Sequence, residues 1–239
     1  MKYKNLIIKL MICICIIIFL TSVVILIKDF IDCKQNNNSI EHLVQEVIEV
    51  NQKEVSINWK QLKQINNDII AWIEIENTNI NYPILKDNNL YYLNHTYEKK
   101  YNKSGSIFTT NMNPFEEEET VIYGHNMRNG TMFSELGKYL DKNFFEAHNT
   151  VKIYTPDIEY IGTVFSAYSI DINEEINNIK NLNYNERLKY YGQANKDINK
   201  DIENINKVVK LSTCSYINAK ESPTEQRYYI ILSIKPLNN

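Results

Sequence analysis

Only four of the 239 residues are cysteine; Cys13 and Cys15 lie inside an apolar N-terminal run, and Cys33 follows just after it. Cys214 is the single thiol of the globular part, so an intradomain disulfide is excluded and a lone, reactive thiol becomes worth following. The four histidines, His42, His95, His125 and His148, are scattered, and no Cys/His cluster has zinc spacing. There is no excess of positive charge: 26 basic residues face 29 acidic ones, a net of −3, which gives no reason to expect a nucleic-acid partner. Glycine is scarce, at six, and no repeat of fixed period is present. What remains is an ordinary globular composition, 44% hydrophobic and 23% charged, long enough for one sizeable domain with appendages.

Leu10 to Ile27 carries no charge over 18 residues, enough to span a hydrocarbon core. The only charges in residues 1–27 are Lys2, Lys4 and Lys9, which by the positive-inside rule puts the N-terminus in the cytoplasm and the rest of the chain outside. Val24-Ile-Leu-Ile27 runs straight into Lys28 with no small-residue cleavage site, favouring an uncleaved anchor over a signal peptide. The expected organisation is a cytoplasmic N-terminus (1–9), a transmembrane anchor (10–27), a polar tether (28–38) and a catalytic domain (39–239).

Past the tether, Ile40, Leu43, Val44, Val47, Ile48 and Val50 recur at helical spacing, with Asn38 and Glu41 as a capping start. A second short helix is expected around Trp59, Leu62 and Ile65. From Ala71 the pattern turns to short strands, and many short strands at close spacing imply a sandwich or a closed barrel. Segment 174–206, rich in Asn, Lys and Glu, reads as a helical insertion.

Two strands close this pattern. Val208, Val209 and Leu211 lead to Thr213-Cys214, and Arg227 opens the apolar run Tyr228 to Ile234. Antiparallel pairing would bring the thiol beside the guanidinium, and a nearby cation favours the nucleophilic thiolate. A buried free cysteine is otherwise an inert small hydrophobe. A third strand, Thr120 to Gly124, ends at His125, and histidine is the usual activating partner of a thiol. The three residues at three strand ends form a catalytic constellation.

In these pieces the chain resembles the sortases, specifically class B. The resemblance rests on Ala71-Trp-Ile-Glu-Ile75, Thr78-Asn-Ile-Asn-Tyr-Pro83, Tyr91-Tyr-Leu93 and Ser104-Gly-Ser-Ile-Phe108. It continues through Val121-Ile-Tyr-Gly-His-Asn126, Met132-Phe-Ser-Glu-Leu136, Leu211-Ser-Thr-Cys214 and Arg227. It implies a mainly β fold: a closed eight-stranded barrel, mostly antiparallel, with N-terminal helices and a helix-bearing segment before the Cys strand.

The resemblance also implies a membrane-anchored cysteine transpeptidase of Gram-positive bacteria with no metal or organic cofactor. Cys214 would attack the carbonyl after Thr in a C-terminal sorting motif, Asn-Pro-x-Thr-Asn-like or Ser/Asn-Pro-x-Thr-Gly-like. His125 would carry the protons, and Arg227 would hold substrate and oxyanion. An amine on a peptidoglycan precursor or a protein would resolve the thioacyl-enzyme. Partners would be secreted proteins bearing the motif, with Asn126, Thr213, Ser215 and Tyr216 lining the substrate groove. The Cys-to-Arg loop, Ser215 to Gln226, is longer than the class leads one to expect. Two alternatives stand beside this: a cysteine peptidase in which water resolves the intermediate, and an inactive sortase-like binding module.

Overall fold

A computed structural model describes residues 2–51, 54–194, 205–217 and 224–237. The chain opens on α1 (Lys2–Val47), followed by the hairpin β1 (Ile48–Asn51) and β2 (Glu54–Ile57) and by α2 (Trp59–Ile65). Then come β3 (Ile69–Glu74), β4 (Asn81–Lys86), β5 (Ile107–Thr109), β6 (Glu119–Tyr123), α3 (Lys142–Ala147), β7 (Thr150–Tyr154) and β8 (Glu159–Asp171). The order ends with α4 (Ile172–Ile179), α5 (Tyr184–Gln193), β9 (Val208–Cys214) and β10 (Gln226–Pro236). Eight strands close a barrel in the order β10-β8-β7-β3-β4-β5-β6-β9, as the sequence leads one to expect. The β4–β5 and β6–β9 pairings are parallel and the other six antiparallel.

The expected tether is corrected. Residues 28–38 are helical, and α1 runs unbroken from the apolar run into the domain. Asparagine is a weak helix former, but tertiary contacts override such preferences. Asn37 Nδ2 donates to Glu41 Oε1 one turn on, at 2.7 Å. Asn36, Ile40, Leu43 and Val47 make one buried stripe against the barrel. The expected cap at Asn38 is therefore mid-helix, and Ile48 to Val50 leave the helix for β1. A soluble form should begin at Lys28 rather than after residue 38, because docking contacts start at Asp29.

The barrel's inner face carries Ile73, Ile84, Ile107, Ile122, Val209, Leu211 and Ile230 in one continuous core. A second cluster, Phe165, Tyr168, Leu188, Tyr191, Val208, Tyr229 and Ile231, lies on the outer face under α4 and α5. These helices are the described part of the expected insertion; 195–204 lie outside the described residues. Strand alternation sends successive residues of β9 to opposite faces. Val209 and Leu211 fill the barrel, while Val208 packs with the outer cluster and Lys210 lies over the Tyr191 and Tyr229 rings.

Candidate active site

Three adjacent strands build the site. In the antiparallel β9–β10 ladder Arg227 stands directly opposite Cys214. Directly opposed residues share a face, with Cβ atoms about 5 Å apart. In the parallel β6–β9 ladder Tyr123 pairs with Ser212, and Gly124 N donates to the Ser212 carbonyl at 3.2 Å. Two residues further along each strand come His125 and Cys214. The row across the sheet is therefore His125, Cys214, Arg227, all on the outer face.

Each group is held. The His125 ring is half-buried, and its Nε2 lies 2.7 Å from the Leu93 carbonyl, which can only accept. Nε2 must carry the proton, so in the neutral ring Nδ1 is the free base. The Phe133 amide donates to the His125 carbonyl at 2.9 Å, fixing the backbone. Arg227 Nη1 donates to the Thr224 and Gln226 carbonyls. Its remaining N–H groups have no partner among the described residues, and they belong to a planar guanidinium held on the strand position directly opposite Cys214. Asn126 Nδ2 donates to the Cys214 carbonyl at 2.8 Å, tying the His loop to the end of the Cys strand.

Gly124 is where the backbone must be bare. A Cβ there would come within 2.4 Å of Ile107 Cδ1 and 2.8 Å of Phe133 Cδ2, and both side chains are buried. Gly124→Ala should cost about 1–3 kcal/mol in urea unfolding, the usual range for overpacking. It should also reduce turnover, because His125 is the next residue; unchanged stability would mean that Ile107 and Phe133 yield freely.

The groove candidates separate. Asn126 is half-buried beside Cys214, and Tyr216 is exposed at the entrance. Ser215 is fully buried: it accepts from Ser169 Oγ at 2.8 Å and from the Ile217 amide at 3.3 Å, which makes it a turn-holding residue. Thr213 is corrected outright. It falls on the inner face with Val209 and Leu211, is 2% exposed, and its hydroxyl has no partner among the described residues. Residues 218–223 of the long loop lie outside the described residues.

The polar row leading away from the site has no counterpart in the expected residues. Tyr123, Ser212 and Tyr229 follow His125, Cys214 and Arg227 on the same face, one pleat back. Tyr229 hydrogen-bonds Ser212, and burial raises the pKa of both tyrosines, so their hydroxyls stay neutral donors. The signal was available: two residues back from His125 and from Cys214, and two on from Arg227, reach all three. A crevice of about 730 Å³ lies at the opposite end, between β2 and the β7–β8 turn, and is lined by neither Cys214 nor His125. Among the described residues no cluster of His, Cys, Asp or Glu could hold a metal ion.

The sortase domain model matches residues 73–234. The chain belongs to the sortase family. Sortase B of Listeria monocytogenes is 43% identical over 119 residues, 48% of this chain and 48% of that protein. Sortase B of Staphylococcus aureus is 28% identical over 246 residues, 98% of each. The structure of a Staphylococcus aureus sortase B–substrate complex matches with a TM-score of 0.69 at 27% identity, covering 87% of this chain and all of that one. Both the relatives and the structural neighbours are class B enzymes, so this sortase is a class B cysteine transpeptidase by likeness of sequence and fold alike.

Proposed function

We propose that this sortase is anchored by residues 10–27 with its catalytic domain outside the cell. It cleaves a sorting motif of the Asn-Pro-x-Thr-Asn or Ser/Asn-Pro-x-Thr-Gly kind after Thr and joins the new carboxyl to an amine of a peptidoglycan precursor or a protein. Among the described residues α1 is the one helix long and apolar enough to cross a bilayer, and its basic N-terminal flank favours an inside N-terminus. The reaction reading is carried by the row His125, Cys214, Arg227 on adjacent strands.

In the reaction, the Cys214 thiolate attacks the Thr carbonyl carbon, forming the S–C bond, and the oxyanion of the tetrahedral intermediate meets the free N–H groups of Arg227. Collapse breaks the C–N bond, and His125 gives its proton to the departing amine through Nδ1. The neutral Nδ1 then takes a proton from the incoming amine as that amine displaces the thiolate. The Leu93 carbonyl holds Nε2–H throughout, so one ring orientation serves both steps.

Residues 28–239 incubated with a sorting peptide, with and without an amine acceptor, test this reading. Transfer product should appear only with the amine. Hydrolysis at the same rate in both arms would favour the peptidase instead. Arg227→Lys keeps the charge but loses the planar fork, and should lower turnover by about 10²-fold, as for other oxyanion donors, with the fold intact. Near-normal kinetics would make Arg227 structural.

A further inference from the structure

His125 is one end of a line of contacts whose other end is the start of β3. The link is the 3₁₀ turn Tyr91–Leu93. The Leu93 side chain is exposed, and it is the Leu93 carbonyl that receives His125 Nε2, at 2.7 Å. Two backbone bonds fix the residue before it. The Tyr92 amide donates to Asp87 Oδ2 at 2.7 Å, and the Tyr92 carbonyl accepts from the Ser106 amide at 2.9 Å. Gly105 lies in the left-handed region, at φ +58°, and a Cβ there would come within 2.4 Å of the Leu93 oxygen and 2.6 Å of the Tyr92 oxygen. The Leu93 oxygen is therefore packed against bare backbone as well as bonded to the imidazole.

The Tyr92 side chain ties this turn to the barrel. It is buried in the main core. At its tip the hydroxyl donates to Asp68 Oδ2 and accepts from Asn66 Nδ2, each at 2.7 Å. Asn66 is buried and itself fixed: its Oδ1 accepts from the Asp68 amide at 2.9 Å, and its Nδ2 also donates to the Tyr97 carbonyl at 2.7 Å. Lys99 pairs with the Asp68 carboxylate at 2.9 Å. Burial raises the pKa of the Tyr92 hydroxyl, which stays a donor. The hydrogen bond from Lys99, and then that from Tyr92, lowers the pKa of Asp68, which stays an acceptor. A phenol whose oxygen both donates and accepts in this way is held at its tip as well as by its ring.

The chemistry gives that rigidity a task. Which nitrogen of a histidine is active is set by the hydrogen bond that the other nitrogen makes. Without a fixed acceptor for Nε2–H the ring is free to turn, and Nδ1 no longer meets the amine at both proton transfers. We infer that Tyr92 is a positioning residue of this sortase: its hydroxyl, held by Asn66 and Asp68, fixes the Leu93 carbonyl and through it the ring of His125. The inference rests on the reading of His125 as the proton carrier.

The test uses the full chain in detergent with a sorting peptide and a soluble amine. Tyr92→Phe removes one oxygen and keeps the ring. It should lose about tenfold in kcat with KM changed by less than about twofold, because small misplacements of a catalytic group are costly. Asp68→Ala leaves the hydroxyl to Asn66 alone and should lose about threefold. Asp68→Asn still offers Tyr92 an oxygen and should recover most of that loss. The Asp68 side chain is 41% exposed, so its variants keep the fold even if Tyr92→Phe does not. A second readout needs no turnover. In a chain labelled with ¹⁵N-histidine, the Nε2–H proton of His125 is assigned by its absence from His125→Ala. It should move upfield or exchange away in Tyr92→Phe and Asp68→Ala, and stay in place in Asp68→Asn. A kcat loss with this resonance unmoved, its absence from the original chain, or original kcat in both losing variants would overturn the inference and leave the mechanism standing. Original turnover in His125→Ala would remove the two together.

Discussion

Cys214→Ala should abolish turnover, His125→Ala should nearly do so, and the double variant should be little worse than either. The residues lie 89 positions apart, and the β6–β9 ladder makes them neighbours. If both act in one step, their losses do not add, as in other catalytic units where one removal costs about as much as all. Cys214→Ala removes the nucleophile. His125→Ala leaves a thiol beside Arg227 but takes away the proton donor for the departing amine, so the reaction should stall at or before thioacyl formation. Mass spectrometry with a sorting peptide decides it. An abundant Cys214 adduct in His125→Ala, formed at the original rate, would take His125 out of acylation and sink the mechanism.

The second large effect concerns stability. Lys210, four residues before Cys214, meets Glu175 of α4 in an ion pair whose side chains are 4% and 2% exposed. Tyr168 and Tyr190 hydroxyls donate to the same carboxylate at 2.8 and 2.9 Å, and the ammonium lies 4.1 Å from the Tyr229 ring centroid. Burial, and then the Glu175 charge, hold the Tyr168 hydroxyl well above the ordinary phenol range, so it stays a donor. Removing one partner of a buried pair leaves the other charge without water or counter-ion, a loss of about 3–5 kcal/mol. Lys210→Met should therefore lower the melting temperature by roughly 6–20 °C. Glu175→Gln should do similar damage, stranding the ammonium. The double variant should recover part of the loss, since an amide oxygen still accepts from both tyrosines and no charge is left unpaired. Single-variant losses under about 1 kcal/mol in urea would show that the pair is not as isolated from water as its burial indicates.

Reading these residues from sequence alone had physical limits. The strand ends at His125, Cys214 and Arg227 were legible, because β-branched runs mark strands and the side chains that follow them are chemically distinctive. The barrel followed from the spacing of short strands together with the family resemblance. The helical state of residues 28–38 was not legible: four polar residues at Gln35 to Asn38 look like a tether until the barrel surface that receives Asn36 is known. Ile48 to Val50 fit a helix stripe and a strand equally well. Leu93 acts through its carbonyl, which every residue possesses, so no side chain could announce it. Lys210 between Val209 and Leu211 marked a strand's outer face, but only α4 folding over that face turns it into a buried charge.

The position of β10 has a consequence for how the enzyme comes into being. It lies between β8 and β9, so until it is in place the barrel is open and the strand bearing Cys214 is paired on one side alone. Arg227 arrives with β10, after every other part of the site has been synthesised. A chain folded only through β9 would carry its thiol without the guanidinium opposite it. Contacts so distant in sequence also form slowly. Any step that needs the Arg227 guanidinium therefore waits for β10 to close the barrel.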